Sequence, residues 1–429
     1  MLVGMSRSYD VAPSAARLTQ SLRDIGYNFH TAIADLVDNC VAAGATHINV
    51  ETVFEPNGSY VLICDDGTGM NETEAVESLR FGTRRDYELN ELGRFGLGLK
   101  TGSFSQCRRL TVVSRKHRTK SEVHVVTLDL NRVARDDSWA VLADESSPAI
   151  ERAVDMLQES PGTVVVWEDL DRVLPDRYAE NGWGRRRLAS LAGKTSEHLA
   201  MVFHRFIEGA VAGRGDVVIA VNGEKLRAWN PFAPDEAETK SLPPQRFQIE
   251  TADGSSPVRF CGFILPARDR FSSPEEFDRM SGPLKWNRQQ GLYIYRADRL
   301  VQHGGWSGIR GIDEHTKLAR ASIDFDTNLD EVFQINVAKM KVELPPTLKS
   351  MLERPVHELS VLANDAYRRS ANAAERKETT KSAMTEVALQ DVGVALKAAL
   401  LEESELPAFR QALDTLRRRN PTLADSLGL

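Results

Sequence analysis

The sequence predicts a mixed α/β chain of two or three folded units, and three observations carry that reading. At about 150 residues per domain, 429 residues are enough for two or three separate cores. A helical stretch over Ser14–Cys40 gives way to short apolar runs separated by Gly- and Asp-rich turns, as expected of a sheet with helices laid on it. A second helical segment and a second set of strand-like runs repeat the pattern towards the C-terminus.

The first unit is expected over residues 1–178. Its strands are THINVETVF (46–54), YVLICDD (60–66), RLTVVSR (109–115), SEVHVVTLDL (121–130) and GTVVVWEDL (162–170). Several of them are close enough in sequence to pair antiparallel. The polar, basic, Gly-punctuated stretch RYAENGWGRRRLASLAGK places a linker over 179–198, with a plain surface loop as the alternative. The second unit, 199–350, opens with the helical segment SEHLAMVFHRFIEG and continues with DVVIAVNGEKL (216–226). The Asn-Gly pair there favours a two-residue hairpin. After the Pro-rich stretch Trp229–Pro244, VRFCGFIL (258–265) and GLYIYRADRLV (291–301) alternate as strands do. The remainder, 351–429, carries Leu389, Val392, Leu396 and Leu400 at helical spacing. It predicts a helical tail that is either a dimer or partner arm or a packed helix pair.

Composition excludes several classes. Lys plus Arg is 54 against 61 for Asp plus Glu, a net charge of −7, so contact with nucleic acid would have to come from local basic patches. Cys40, Cys64, Cys107 and Cys261 are scattered and form no CxxC pair or Cys/His metal spacing, which fits a reducing, cytoplasmic compartment. No apolar run approaches the ~18 residues of a spanning helix, and MLVGMSRSYD has no signal-peptide core. Neither membrane insertion nor secretion is expected.

Three segments carry chemistry. In TAIADLVDNCVAAGATHI (31–48), Ile33, Leu36, Val37 and Cys40 define one apolar stripe, and Asp35 and Asn39, four apart, project from the other side. A carboxamide and a carboxylate one turn apart can serve a magnesium–phosphate site, the amide oxygen ligating the metal and the carboxylate taking a proton from attacking water. The same spacing also occurs on the solvated face of any amphipathic helix. YVLICDDGTGM (60–70) is a strand ending in Asp65, Asp66, Gly67, Thr68, Gly69 and Met70. A carboxylate there can accept from an exocyclic amine while the glycines let a planar ring approach; an ordinary tight turn is the other reading. ELGRFGLGLKTGSF (91–104) places Gly93, Gly96 and Gly98 before a helical segment, a loop whose amides can surround phosphates. It is not a P-loop, because Leu99 separates Gly98 from Lys100, and the order Gly-x-x-Gly-x-Gly reverses the dinucleotide fingerprint. The polar stretch SLRFGTRRDYELN before it reads as a lid.

In order and spacing these segments resemble the GHKL superfamily of ATPases, which includes gyrase, MutL, MORC proteins, large heat-shock chaperones and histidine kinases. SPGTVVVWEDL supplies the fourth motif, with Thr163 where the family has a Thr supporting the adenine site. The resemblance is strongest to prokaryotic MORC- or MutL-like proteins and covers about residues 10–350. It implies a GHKL (Bergerat) ATP-binding sandwich, a ribosomal-S5-like transducer domain and a helical C-terminal tail. It further implies ATP and magnesium as ligands, Asn39 as the metal ligand, Asp65 as the adenine-amine acceptor and Gly69 against the base. Gly93, Gly96 and Gly98 would form the hinge and phosphate loop, with Lys100 a phosphate contact. Gly67, Met70, Leu97 and Leu99 complete the nucleotide-binding set. Asp35 falls where the family places a catalytic Glu. It is one methylene shorter, and a displacement of about 1 Å can cost ~100-fold in rate, so slow or absent turnover is expected. QINVAKMKVEL (334–344) resembles the transducer strand whose lysine reaches the γ-phosphate; Lys339, three residues before Val342, fits that role, with Lys341 as the alternative.

By resemblance the chain is an ATP-driven clamp that dimerises on ATP and acts on DNA, with a restriction or anti-phage role by analogy. A nuclease or helicase would act in trans, and no histidine-kinase phospho-acceptor helix is recognisable. Arg108-Arg109, Arg115-Lys116-His117-Arg118 and Arg185-Arg186-Arg187 are the candidate phosphate contacts. The alternatives are a chaperone-like clamp on a protein partner and a nucleotide-sensing scaffold that does not hydrolyse.

Overall fold

The computed structural model describes residues 14–428 apart from 25, 57, 82–97, 117–121, 159, 176–181, 252–253, 336–341 and 403–405; at 371–388 and 397–409 only the backbone is described. The helical stretch expected over 14–40 is two helices, α1 (Ala15–Arg23) and α2 (Phe29–Ala42). Ser14 caps α1, and its hydroxyl also donates to Asp137 at 2.8 Å.

The first sheet has eight strands: β1 (His47–Val53), β2 (Tyr60–Asp65), β3 (Arg109–Arg115), β4 (His124–Asp129), β5 (Leu142–Ala143), β6 (Gly162–Glu168), β7 (Val218–Val221) and β8 (Glu224–Lys225). They are ordered β5-β4-β3-β6-β2-β1-β7-β8. Every neighbouring pair is antiparallel except β1 and β7. Side chains alternate across a sheet, and here both faces are covered. Val61 and Ile63 join the cluster containing Ile33 and Val37 of α2, whereas Tyr60 and Leu62 join Ala149, Ile150 and Ala153 of the helix Pro148–Met156. Two covered faces are why YVLIC is apolar throughout instead of alternating.

Two expectations about chain organisation are corrected. The 179–198 stretch, read as a linker, lies mostly in the helix Gly182–Val202, whose Leu188, Leu191, Leu199 and Val202 enter the first core as the helix packs on α2. Reading it by its basic residues hid this 3–4 spacing of apolar ones. DVVIAVNGEKL is the expected hairpin, with Asn222 and Gly223 both left-handed (φ 51° and 82°), but it closes the edge of the first sheet instead of opening the second unit.

The second sheet contains β9 (Lys240–Ser241), β10 (Gln245–Thr251), β11 (Gly254–Ile264), β12 (Gly291–Arg296), β13 (Arg299–His303) and β14 (Ala319–Phe325), ordered β10-β11-β14-β12-β13 with β9 beside β11. The run GLYIYRADRLV is not one strand but the hairpin β12–β13, turning at Ala297 and Asp298 (φ 45° and 65°). Leu292 and Ile294 face one cluster with Leu348, Leu352, Val356 and Leu359, while Tyr293 and Tyr295 face another with Trp229, Phe232 and Phe277. The tail is helical as expected: Pro346–Glu402, Leu406–Arg419 and Pro421–Ser426.

The units are joined by ion pairs and hydrogen bonds as well as by apolar contact. Arg299, at the start of β13, places Nε 3.1 Å from Asp38 of α2, with both side chains buried. Nearby, His204 lies 2.9 Å from the Tyr295 hydroxyl and Arg205 donates to Asp298 at 2.8 Å.

Candidate functional site

The site lies where α2 crosses the end of β2. The solvated face that was the other reading of α2 is largely covered, because the sheet, the helix Gly182–Val202 and α4 (Gly98–Phe104), which follows α3 (Glu72–Ser78), pack on the helix; ten of its 14 residues are buried. Asp35 is buried and Asn39, one turn on, is exposed. A carboxylate thus sits behind a carboxamide that opens to solvent. Oδ2 of Asp35 accepts from the Tyr27 hydroxyl at 2.7 Å. On its other side, a Cβ built on Gly98 would lie 3.0 Å from the same oxygen, so the first residue of α4 closes on the carboxylate.

At the end of β2, Oδ1 of Asp65 accepts from the Gly67 N–H at 2.9 Å, and the Cys40 thiol of α2 and the Thr163 N–H also bond the carboxylate. Burial pushes its pKa above the usual carboxylate value, against the pull of these donors. Gly69 is left-handed (φ 63°), and a Cβ there would come within 1.9 Å of the Arg115 carbonyl oxygen; no other residue fits this turn. Met70 donates its N–H to the Ser114 hydroxyl at 2.8 Å; that hydroxyl lies 2.9 Å from Oγ1 of Thr163 and donates to the Gly162 carbonyl at 3.0 Å. The second and fourth motifs are thereby one network, in which Thr163 pairs with Asp65 across β2 and β6. Asp66 does a different job, accepting the N–H groups of Thr46 and His47 at 2.7 and 2.8 Å.

Leu99 packs against the first core, and Lys100 is buried with Nζ on the Ser78 carbonyl oxygen at 2.9 Å, at the end of the helix Glu72–Ser78. Burial lowers the Lys100 pKa to about 8. The unfolded chain therefore holds this proton over the range in which the folded chain has released it, and folding stability rises with pH from about 8 to about 10.5, by on the order of 3 kcal/mol for this group. Denaturant unfolding of the wild type and Lys100→Met between pH 7 and 10 should show a steeper rise in the wild type. Gly93, Gly96, Leu97, Lys339 and Lys341 lie outside the described residues.

Of the basic clusters, Arg108 is held by Asn131 and Asp171, Arg109 by Glu145 and Glu168, Arg115 by the carbonyls of Leu157 and Gln158, and Lys116 by Glu74. Arg185, Arg186 and Arg187 are exposed on the helix Gly182–Val202.

Sequence reasoning missed Tyr27, Ser114 and Arg299. Ser114 lies one residue from the end of a strand that also carries the Thr111 hydroxyl, so its type alone does not mark it. Tyr27 precedes the first motif, and Arg299 is 261 residues from its partner, so neither carries a local signal.

Comparison with known proteins agrees with this geometry. Residues 27–163 match the family described as histidine kinase-, DNA gyrase B-, and HSP90-like ATPase. The chain is 36% identical over 86 residues to the ATPase morc-1 of Caenorhabditis elegans, covering 20% of this chain and 10% of that protein. It is 34% identical over 93 residues to the human ATPase MORC2, covering 20% and 9%. With the MORC family CW-type zinc finger protein 1 of Mus musculus it shares 36% over 93 residues, covering 20% and 10%. The chain thus spans about a tenth of the length of the curated relatives it matches. Residues 27–163 are thus similar to ATPases of the histidine kinase, DNA gyrase B and HSP90 type, and the chain's relatives include MORC ATPases.

Proposed function

We propose that the chain is a magnesium-dependent, slowly hydrolysing ATP clamp that dimerises on ATP and acts on DNA. One observation carries the reading: α2, which bears Asp35 and Asn39, also reaches Asp65 at the end of β2, the carboxylate that would receive the adenine amine, through its Cys40 thiol. Base and phosphate ends of one nucleotide are thereby spanned by a single helix and a single strand end.

Among the described residues no group of three or more His, Cys, Asp or Glu could hold a metal ion. A magnesium ion would therefore be bound by the Asn39 amide oxygen together with nucleotide phosphates and water, which suits its preference for oxygen ligands and retained waters. Asp35 would take the proton of a water attacking the terminal phosphorus as the bond to the ADP oxygen breaks. Lys339, or Lys341 in its place, is the proposed γ-phosphate contact, and the second unit the proposed transducer. The buried contact between Arg299 and Asp38 supports the latter, since it ties the second sheet to the helix bearing the site. ATP would shift the clamp only by its difference in affinity between open and closed forms. The exposed Arg185–Arg187 face is the proposed DNA contact, and a restriction or anti-phage role rests on analogy alone.

Calorimetry and single-turnover hydrolysis test this. The wild type and Asp35→Asn should bind ATP within about threefold of one another, while hydrolysis by the variant falls by ~100-fold or more. Equal rates would show that Asp35 is no general base and favour the non-hydrolysing scaffold. DNA binding weakened by salt and DNA-stimulated turnover should accompany the first reading. If neither is seen, the exposed Val392 and Leu396 of the tail favour a clamp on a protein partner.

A further inference from the structure

The surroundings of Asp35 include a residue that belongs to none of the motifs. We propose that Tyr27 is a positioning residue that orients the Asp35 carboxylate for proton transfer and is itself held by Thr101; this rests on the reading of Asp35 given above.

The hydroxyl of Tyr27 donates to Oδ2 of Asp35 at 2.7 Å in a buried setting. The Thr101 side chain, from α4, hydrogen-bonds the same phenol oxygen. Thr101 is fully buried, and the Tyr27 carbonyl accepts from Nε2 of Gln106 at 3.1 Å, so the side chain of Tyr27 is fixed from within the third motif and its backbone from just beyond it. Burial, and then the charge of Asp35, push the phenol pKa up from its ordinary value. The group is therefore a permanent donor and not a competing base.

A short arm makes this arrangement necessary. The second torsion of an Asp side chain is broad and roughly two-fold, so its carboxylate plane is poorly defined unless something outside the residue selects it. The phenol selects it, and Gly98 leaves the carboxylate its room, since a Cβ at that position would come within 3.0 Å of Oδ2. A carboxylate that does not reach as far as Glu is compensated in direction. The three residues also join the helix of the first motif to the helix that begins at the end of the third.

Single-turnover hydrolysis and ATP calorimetry on the full chain test the proposal with Tyr27→Phe, Asp35→Asn, the double variant and Thr101→Val. Tyr27→Phe should keep its ATP affinity within about threefold and hydrolyse about 10- to 50-fold more slowly, a change in rate without a change in binding. In the Asp35→Asn background the same substitution should have no further effect on rate, because the group it orients is gone. Thr101→Val should slow hydrolysis in the same direction by a smaller factor. The proposal is overturned if Tyr27→Phe hydrolyses at the wild-type rate, or if it slows the wild type and Asp35→Asn by the same factor, as loss of packing alone would do. Wild-type hydrolysis by Asp35→Asn would instead overturn the base itself and Tyr27's role with it, so the two failures are told apart by which single variant stays active.

Discussion

Replacing Arg299 by Met should lower the unfolding free energy by about 3–5 kcal/mol, because removing one partner of a buried ion pair leaves the other charge desolvated. Asp38 is 0% exposed and Arg299 4%, so water cannot take the place of the lost guanidinium. The loss should appear in urea unfolding as a lower midpoint. Adding Asp38→Asn to the same chain should recover at least half of it, since a buried carboxylate is then replaced by a neutral amide. A single variant as stable as the wild type would show that the pair behaves as a surface contact despite its burial. Arg299 also lies over the Phe203 ring at 5.9 Å, and Met retains part of that apolar contact, which makes it a gentler probe of the charge than Ala.

Asp65→Asn should weaken ATP binding on the order of 100-fold, or about 2.7 kcal/mol. The carboxylate bonds the Gly67 N–H, the Thr163 N–H and the Cys40 thiol, all of them donors. An amide can satisfy some of them through its oxygen, but it then turns its NH2 group towards the adenine amine and sets donor against donor. Thermal unfolding confirms that the variant is folded, and calorimetry gives the affinity. An affinity within threefold of the wild type would remove Asp65 from base recognition.

Much of this site was legible in the sequence. Asp65 and Gly69 were legible because a strand end and the tight turn after it are local features that residue type reveals, whereas Thr163, on a strand distant in sequence, was reached only through the family resemblance. Ser114 is buried on β3 beside them, but nothing in its type sets it apart from Thr111 of the same strand. The enclosure of α2 could not be read locally: Asp35 looks like part of a solvated face until Tyr27 and Gly98 close on it, and the helix Gly182–Val202 that packs on α2 comes from 140 or more residues away. The linker reading failed for the same reason, its arginines being conspicuous and its leucine spacing not. The assignment of 216–226 to the second unit failed because a hairpin signal specifies its own turn and says nothing of which sheet edge it joins.

The helix Pro346–Glu402 has a mechanical consequence. Leu348, Leu352, Val356, Leu359 and Ala363 embed its first turns in the core of the second sheet, and Ser370 is tied to Asp269 at 2.8 Å. From Ser370 to Glu402 the rod runs on for roughly 48 Å at 1.5 Å per residue. A tilt of about 10° at the anchored root would carry the far end roughly 8 Å over that length. A small adjustment at the root would thereby be enlarged along the length of the rod.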